Sequence, residues 1–182
     1  MKKIAVHLAE GFEEIEALTI IDILRRSDLE VISASITKDK LVTGAHGIKV
    51  EADTLFEEID YNNIDMIVLP GGMPGTLNLE AHEELKKKVI EFDIDEKWIG
   101  AICAAPSILG KMAMLEDREA TCYPGFEKYM LGTKLSDEPV VMDKNIITSR
   151  GPATAIEFSL KLVEVLMNKE KADELAKGLL SK

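Results

Sequence analysis

Short runs of apolar, β-favouring residues recur at positions 4–8, 31–36, 66–69 and 98–102, and again at 140–142 and 146–148. Their hydrophobicity is continuous rather than alternating, which predicts strands covered on both faces. Between them the apolar spacing changes to that of helices. Ile15, Leu18, Ile21 and Leu24 share one predicted face, as do Leu85, Val89 and Phe92, and Ile156, Leu160, Val163 and Met167. Strand and helix therefore alternate, and a parallel crossover needs roughly a dozen or more residues and usually a helix. The expected architecture is an α/β, flavodoxin-like, doubly wound and mainly parallel sheet with helices on both faces. Positions 41–50 break the rhythm, with Gly44 and Gly47 flanking two short extended pieces. They predict a small hairpin at an edge or partner surface. No repeat, low-complexity tract or long linker divides the chain, so residues 1–182 are expected to form a single domain.

In a doubly wound sheet, ligands bind beyond the carboxyl ends of the strands. The turns at 9–16, 70–78, 103–107 and 149–154 are therefore where chemistry is expected. Trp98-Ile-Gly-Ala-Ile-Cys103-Ala-Ala-Pro106 carries a strand straight into a helix with Cys103 at the junction. The small residues Ala101, Ala104 and Ala105 leave room for a strained turn, a nucleophile elbow, that thrusts the thiol into the crevice. At a helix N-terminus the thiolate would meet unpaired N–H groups, which predicts a pKa below the free-thiol value of about 8.5. The alternative is a buried structural cysteine, the commoner fate of a lone thiol in a core strand.

Pro70-Gly71-Gly72-Met73-Pro74-Gly75 is neither a GxGxxG fingerprint nor a P-loop. Its paired glycines can instead bring backbone N–H groups to a bound carbonyl, forming an oxyanion hole with the amide after Cys103. In Gly11-Phe-Glu13-Glu14-Ile15-Glu16, Glu16 lies off the face of Glu13. An inward carboxyl there would have a raised pKa and serve as an acid/base or hydrogen-bond donor to the thiol. The alternative is a solvated acidic helix start.

Composition narrows the functional classes. The chain has 182 residues, 46% hydrophobic and 30% charged, enough for a substantial core. Its 33 acidic against 22 basic residues leave a net charge of -11, which argues against bulk nucleic-acid or anionic-membrane binding. The apolar run before Glu10 is too short for a signal peptide or membrane span, so a cytoplasmic protein is expected. Two cysteines, Cys103 and Cys122, without CxxC or paired His/Cys spacing predict neither a disulfide framework nor a metal site.

Four motifs in this order, Ala9-Glu-Gly-Phe-Glu-Glu-Ile-Glu16, Val68-Leu-Pro-Gly-Gly72, Ala101-Ile-Cys-Ala-Ala-Pro106 and Thr148-Ser-Arg-Gly-Pro152, resemble the parkinsonism-associated deglycase branch of the ThiJ/PfpI superfamily over nearly the whole chain. The resemblance implies that Cys103 is the reactive, oxidisable cysteine and Glu16 the carboxylic acid bonded to it. Gly72 and Ala104 would be the backbone donors, and Gly71, Tyr123 and Arg150 would border the site. It implies a homodimer and a cofactor-free glyoxalase or deglycase acting on small reactive carbonyls or their adducts. Oxidative-stress sensing or chaperoning through Cys103 is the alternative. A PfpI-type cysteine hydrolase or peptidase is disfavoured, because Ala104 and Tyr123 stand where relatives place a histidine. Of the three histidines, His7 and His82 are expected to be structural, while His46 in the hairpin could reach a partner's site. Cys122 is a candidate resolving thiol for oxidised Cys103.

Overall fold

The computed structural model describes residues 1–181. In chain order the elements are β1 (Lys3–Leu8), α1 (Glu14–Arg26), β2 (Glu30–Ser35), β3 (Leu41–Thr43), β4 (Lys49–Glu51), β5 (Thr54–Leu55) and β6 (Met66–Leu69). Next come α2 (Gly75–Ala81), α3 (Glu83–Ile94), β7 (Trp98–Ile102), α4 (Pro106–Lys111), β8 (Glu119–Ala120) and β9 (Lys134–Leu135). The chain continues through β10 (Val140–Asp143), β11 (Ile146–Ser149), α5 (Ala155–Leu166) and α6 (Lys169–Gly178).

Seven strands form the central sheet in the order β10-β11-β7-β6-β1-β2-β5. All neighbours are parallel except β10 against β11. The expected flavodoxin-like, mainly parallel sheet with helices is what the chain adopts. From β1 the chain first builds outward to β2 and β5, then returns to place β6 on β1's other side. This reversal opens a crevice at the carboxyl ends of β1 and β6.

The inner strands β1, β6 and β7 are buried on both faces because each supplies side chains to two cores. Ile4, Val6 and Leu8 pack with Ile20 and Leu24 of α1 and Phe158 and Leu162 of α5. Ala5, Ile67, Leu69 and Ile99 pack on the other side with Leu85, Val89, Phe92 and Leu109. Among the described residues no helix is long and apolar enough to cross a membrane.

Two predicted helix faces are corrected. On α1, Ile15 is 58% and Leu18 38% exposed, while Ala17, Ile20, Ile21, Ile23 and Leu24 are buried. On α5, Ile156 is exposed, as is Met167 just past its end, and Phe158, Leu162, Val163 and Leu166 form the inner face. Both helices carry overlapping apolar stripes, and periodicity alone does not say which one meets the sheet. The predicted α3 face of Leu85, Val89 and Phe92 is fully buried.

The β3–β4 hairpin forms a separate two-stranded sheet. It clamps the β1–α1 turn, where Gly11 N–H donates to the Thr43 carbonyl at 2.7 Å and Ala45 N–H to the Phe12 carbonyl at 2.8 Å.

Candidate active site

Three turns converge at the crevice, following β1, β6 and β7. Cys103 follows β7 directly and adopts φ 65, the left-handed region that a residue with a Cβ enters at a cost of roughly 1–3 kcal/mol. Backbone bonds on both sides hold it there: its N–H donates to the Ser149 carbonyl at 2.9 Å, and its carbonyl accepts from Tyr123 N–H at 2.8 Å. The thiol is half-buried. The Gly72 and Ala104 backbone N–H groups near the sulfur favour its charged form. Gly72 has φ 94, so its own conformation suits a residue without a side chain.

Glu16, in the first turn of α1, is 0% exposed. Its Oε2 accepts from Gly71 N–H at 2.8 Å, while Oε1 is buried without a hydrogen-bond partner of good geometry. Gly71 is the spacer between this carboxyl and the thiol. A methyl group on it would stand 2.6 Å from Cys103 Cβ and 2.8 Å from Glu16 Oε2, closer than atoms can pack. Glu16 and Cys103 consequently act on each other's ionisation. Burial pushes the Glu16 carboxyl up to about 7, against the lowering influence of the neighbouring Cys103 thiol and the Gly71 N–H.

The expected acidic thiol is a correction. Burial pushes the Cys103 pKa up, and so does the negative charge of Glu16, and the Ala104 and Gly72 amides offset only part of this. Helix α4, moreover, begins three positions later at Pro106 and spans only six residues, so little macrodipole reaches the sulfur. Burial and the Glu16 carboxylate thus favour the neutral thiol.

The other predicted residues are distributed as follows. Tyr123 adjoins Cys103 through its backbone, and its ring stands 3.1 Å from where a Gly151 methyl would lie. Arg150 follows Ser149, but its guanidinium pairs with Asp137 at 2.6 Å. It lines a cavity of about 230 Å³ with Cys122 and Glu127, and Cys103 is not among that cavity's lining residues. Cys122 is buried in the core on the α3 side of the sheet, whereas Cys103 packs against the α1 side. Burial and Glu127 hold the Cys122 pKa at about 11.

Within this chain each of the three histidines has another partner. His7 is fully buried with its Nε2 2.7 Å from the Tyr61 hydroxyl, and His82 accepts from Leu85 N–H at the start of α3. His46 lies against Glu14, with Nδ1 2.8 Å from Oε2. Sequence reasoning did not single out Glu13 and Glu14 as near-buried, although both are at most 9% exposed. Two adjacent acids and a histidine some thirty positions away have no spacing signature; the hairpin brings them together.

Residues 2–165 match the DJ-1/PfpI family. The chain is 43% identical over 177 residues to Protein DJ-1 homolog B of Arabidopsis thaliana, covering 96% of this chain but only 40% of that protein. It is 32% identical over 189 residues to the glutathione-independent glyoxalase DJ-1 of Schizosaccharomyces pombe, covering 98% of each. The structure of oxidized Toxoplasma gondii DJ-1 superposes with a TM-score of 0.95 at 38% identity, covering 100% of this chain and 99% of that one. The chain therefore belongs to the DJ-1/PfpI family.

Proposed function

We propose that the protein is a cofactor-independent glyoxalase or deglycase-like enzyme acting on 2-oxoaldehydes or their early adducts, with Cys103 as nucleophile and Glu16 as proton-transfer group. The observation that carries this reading is the fully buried Glu16 carboxyl beside the half-buried Cys103 thiol, with one carboxyl oxygen bonded to Gly71 N–H and the other free. Relatives in Schizosaccharomyces pombe and Caenorhabditis elegans bear the name glutathione-independent glyoxalase, which supports a small carbonyl substrate.

With methylglyoxal, the thiol adds to the aldehyde carbon. The S–C bond forms, the carbonyl π bond breaks, the thiol proton passes to ionised Glu16, and Glu16 hands that proton to the oxyanion to give a hemithioacetal and regain its charge. The Gly72 and Ala104 N–H groups surround the developing negative charge. Ionised Glu16 then removes the proton from the former aldehyde carbon and delivers one to its neighbour through an enediol. The first carbon is oxidised to a thioester as the second is reduced to an alcohol, so no external redox partner enters. Water cleaves the thioester, releasing lactate and restoring the thiol. A positioned acid/base of this kind contributes about 10²–10⁴ in rate, most effectively when its pKa lies near the working pH.

Chelator-treated protein is expected to form lactate from methylglyoxal without glutathione, followed by proton NMR, and Cys103→Ala is expected to form none. Lactate production by Cys103→Ala at the wild-type rate would end this reading.

A redox-sensing role uses the same sulfur. The Gly72 and Ala104 N–H groups that favour its charge, together with a protonated Glu16, suit the oxygens of a sulfinate. A thiol that stays reduced, by intact mass, under peroxide conditions that oxidise sensitive cysteines would exclude it. The exposed apolar residues Ile15, Leu18 and Ile48 support a homodimer. Cytoplasmic residence, in keeping with two free thiols, is part of the same reading.

A further inference from the structure

We propose that Thr148 is a positioning residue for Cys103, its hydroxyl holding the loop that keeps the elbow in its strained conformation; the proposal rests on the reading of Cys103 as the nucleophile. With φ 65, Cys103 stays in the left-handed region only because its surroundings over-determine it. Two hydrogen bonds do so. Its N–H donates to the Ser149 carbonyl at 2.9 Å, and its carbonyl accepts from Tyr123 N–H at 2.8 Å.

These two partners are not equally secure. Ser149 ends β11, which pairs with β7 so that Thr148 lies beside Ala101 and Ser149 beside Ile102. The Ser149 hydroxyl also donates to the Pro139 carbonyl at 2.8 Å. Tyr123, by contrast, belongs to no strand or helix, follows the two-residue strand β8, and is 46% exposed. Its segment is tied to the sheet by Thr121 N–H, which donates to Thr148 Oγ1 at 3.0 Å. Thr121 and Thr148 are each 1% exposed, so water cannot readily take over this bond.

The links form a closed ring. Cys103 bonds to Ser149, Ser149 is joined along the chain to Thr148, Thr148 bonds to Thr121, and two residues further on Tyr123 returns to Cys103. Every link but one is main chain, and the Thr148 hydroxyl is the one that a substitution can cut. Its loss orphans a buried N–H, a cost the segment relieves by moving off β11. Tyr123 N–H then leaves the Cys103 carbonyl, and the elbow relaxes. The sulfur is carried away from Glu16 and from the Gly72 and Ala104 amides.

The test compares Thr148→Val, which keeps the β-branched shape and loses the acceptor, with Thr148→Ser, which retains it. Ile147→Val, at a fully buried neighbour in β11 whose side chain can make no such bond, is the control for loss of packing. Alkylation of Cys103 by iodoacetamide, followed on its own peptide by mass spectrometry, should accelerate severalfold in Thr148→Val, because burial then no longer favours the neutral thiol. The kcat for lactate formation from methylglyoxal should fall about ten- to a hundredfold with KM little changed. Thr148→Ser and Ile147→Val should stay close to wild type in both measurements. In the unaltered protein the Thr121, Tyr123 and Cys103 amides should exchange with deuterium slowly and at similar rates, as one opening unit. Alkylation of Thr148→Val at the wild-type rate, no rescue by Thr148→Ser, an equal effect of Ile147→Val, or an unprotected Tyr123 amide would each overturn the proposal. Alkylation and exchange do not depend on turnover. A wild-type protein that forms no lactate would therefore end the enzymatic reading, while these two measurements would still decide the role of Thr148.

Discussion

Glu16 Oε2 and Cys103 Cβ flank the bare α-carbon of Gly71, at 2.8 and 2.6 Å from the point where a methyl group would stand. Carboxyl and thiol are thus held against one backbone segment, and that segment also donates its N–H to the carboxyl. A buried acid, an elbow and a glycine make one unit.

Gly71→Ala should break that unit. The added methyl must push the thiol and the carboxyl apart, at a stability cost of about 1–3 kcal/mol. Lactate formation should fall far more than the folded fraction does, as measured by turnover alongside urea denaturation.

Glu16→Gln keeps the shape but removes the group that exchanges protons. Turnover of methylglyoxal should drop by about 10²–10⁴. Because the Glu16 charge helps hold the thiol pKa up, the variant's thiolate should appear at lower pH than in wild type, followed by absorbance near 240 nm.

Cys122 should not resolve oxidised Cys103, because the two side chains belong to cores on opposite sides of the sheet. After mild peroxide, intact mass and non-reducing peptide maps should show no intramolecular disulfide. Cys122→Ala should oxidise at Cys103 as wild type does.

His7 makes stability depend on pH. Burial lowers its pKa from 6.5 to about 4, while the unfolded chain binds the proton at the ordinary value. Its contribution is complete above about 6.5 and is lost as pH falls toward about 4, amounting to roughly 3 kcal/mol. His7→Gln should flatten this part of the stability profile in denaturant titrations between those two pH values.

Much of this was legible in the sequence because the relevant forces are local. Continuous apolar runs marked β1, β2, β6, β7, β10 and β11 within about a residue, since strands buried on both faces admit few polar side chains. The small residues around Cys103 announced its elbow. Glu16 stood out by its offset from Glu13, and its complete burial follows from the same turn. The two-residue strands β5, β8 and β9 carry too few positions to show a period, and α6 is a charged helix with one buried residue, Ala172.

What the sequence misplaced depends on tertiary burial. The ionisation of Cys103 is set by desolvation and by Glu16, from a different turn, rather than by its neighbours along the chain. The exposure of Ile15 and Leu18 reflects which of two stripes meets the sheet. The gathering of Glu13, Glu14 and His46 depends on where the hairpin folds back.

The most direct measurement is the pH dependence of kcat/KM for lactate formation, in wild type and in Glu16→Gln. Ionised Glu16 is the base, so the wild-type rate should rise with pH through an inflection near 7, where burial places that carboxyl. The inflection should vanish in Glu16→Gln. The same rising limb in both proteins would contradict a proton exchanged between Glu16 and Cys103.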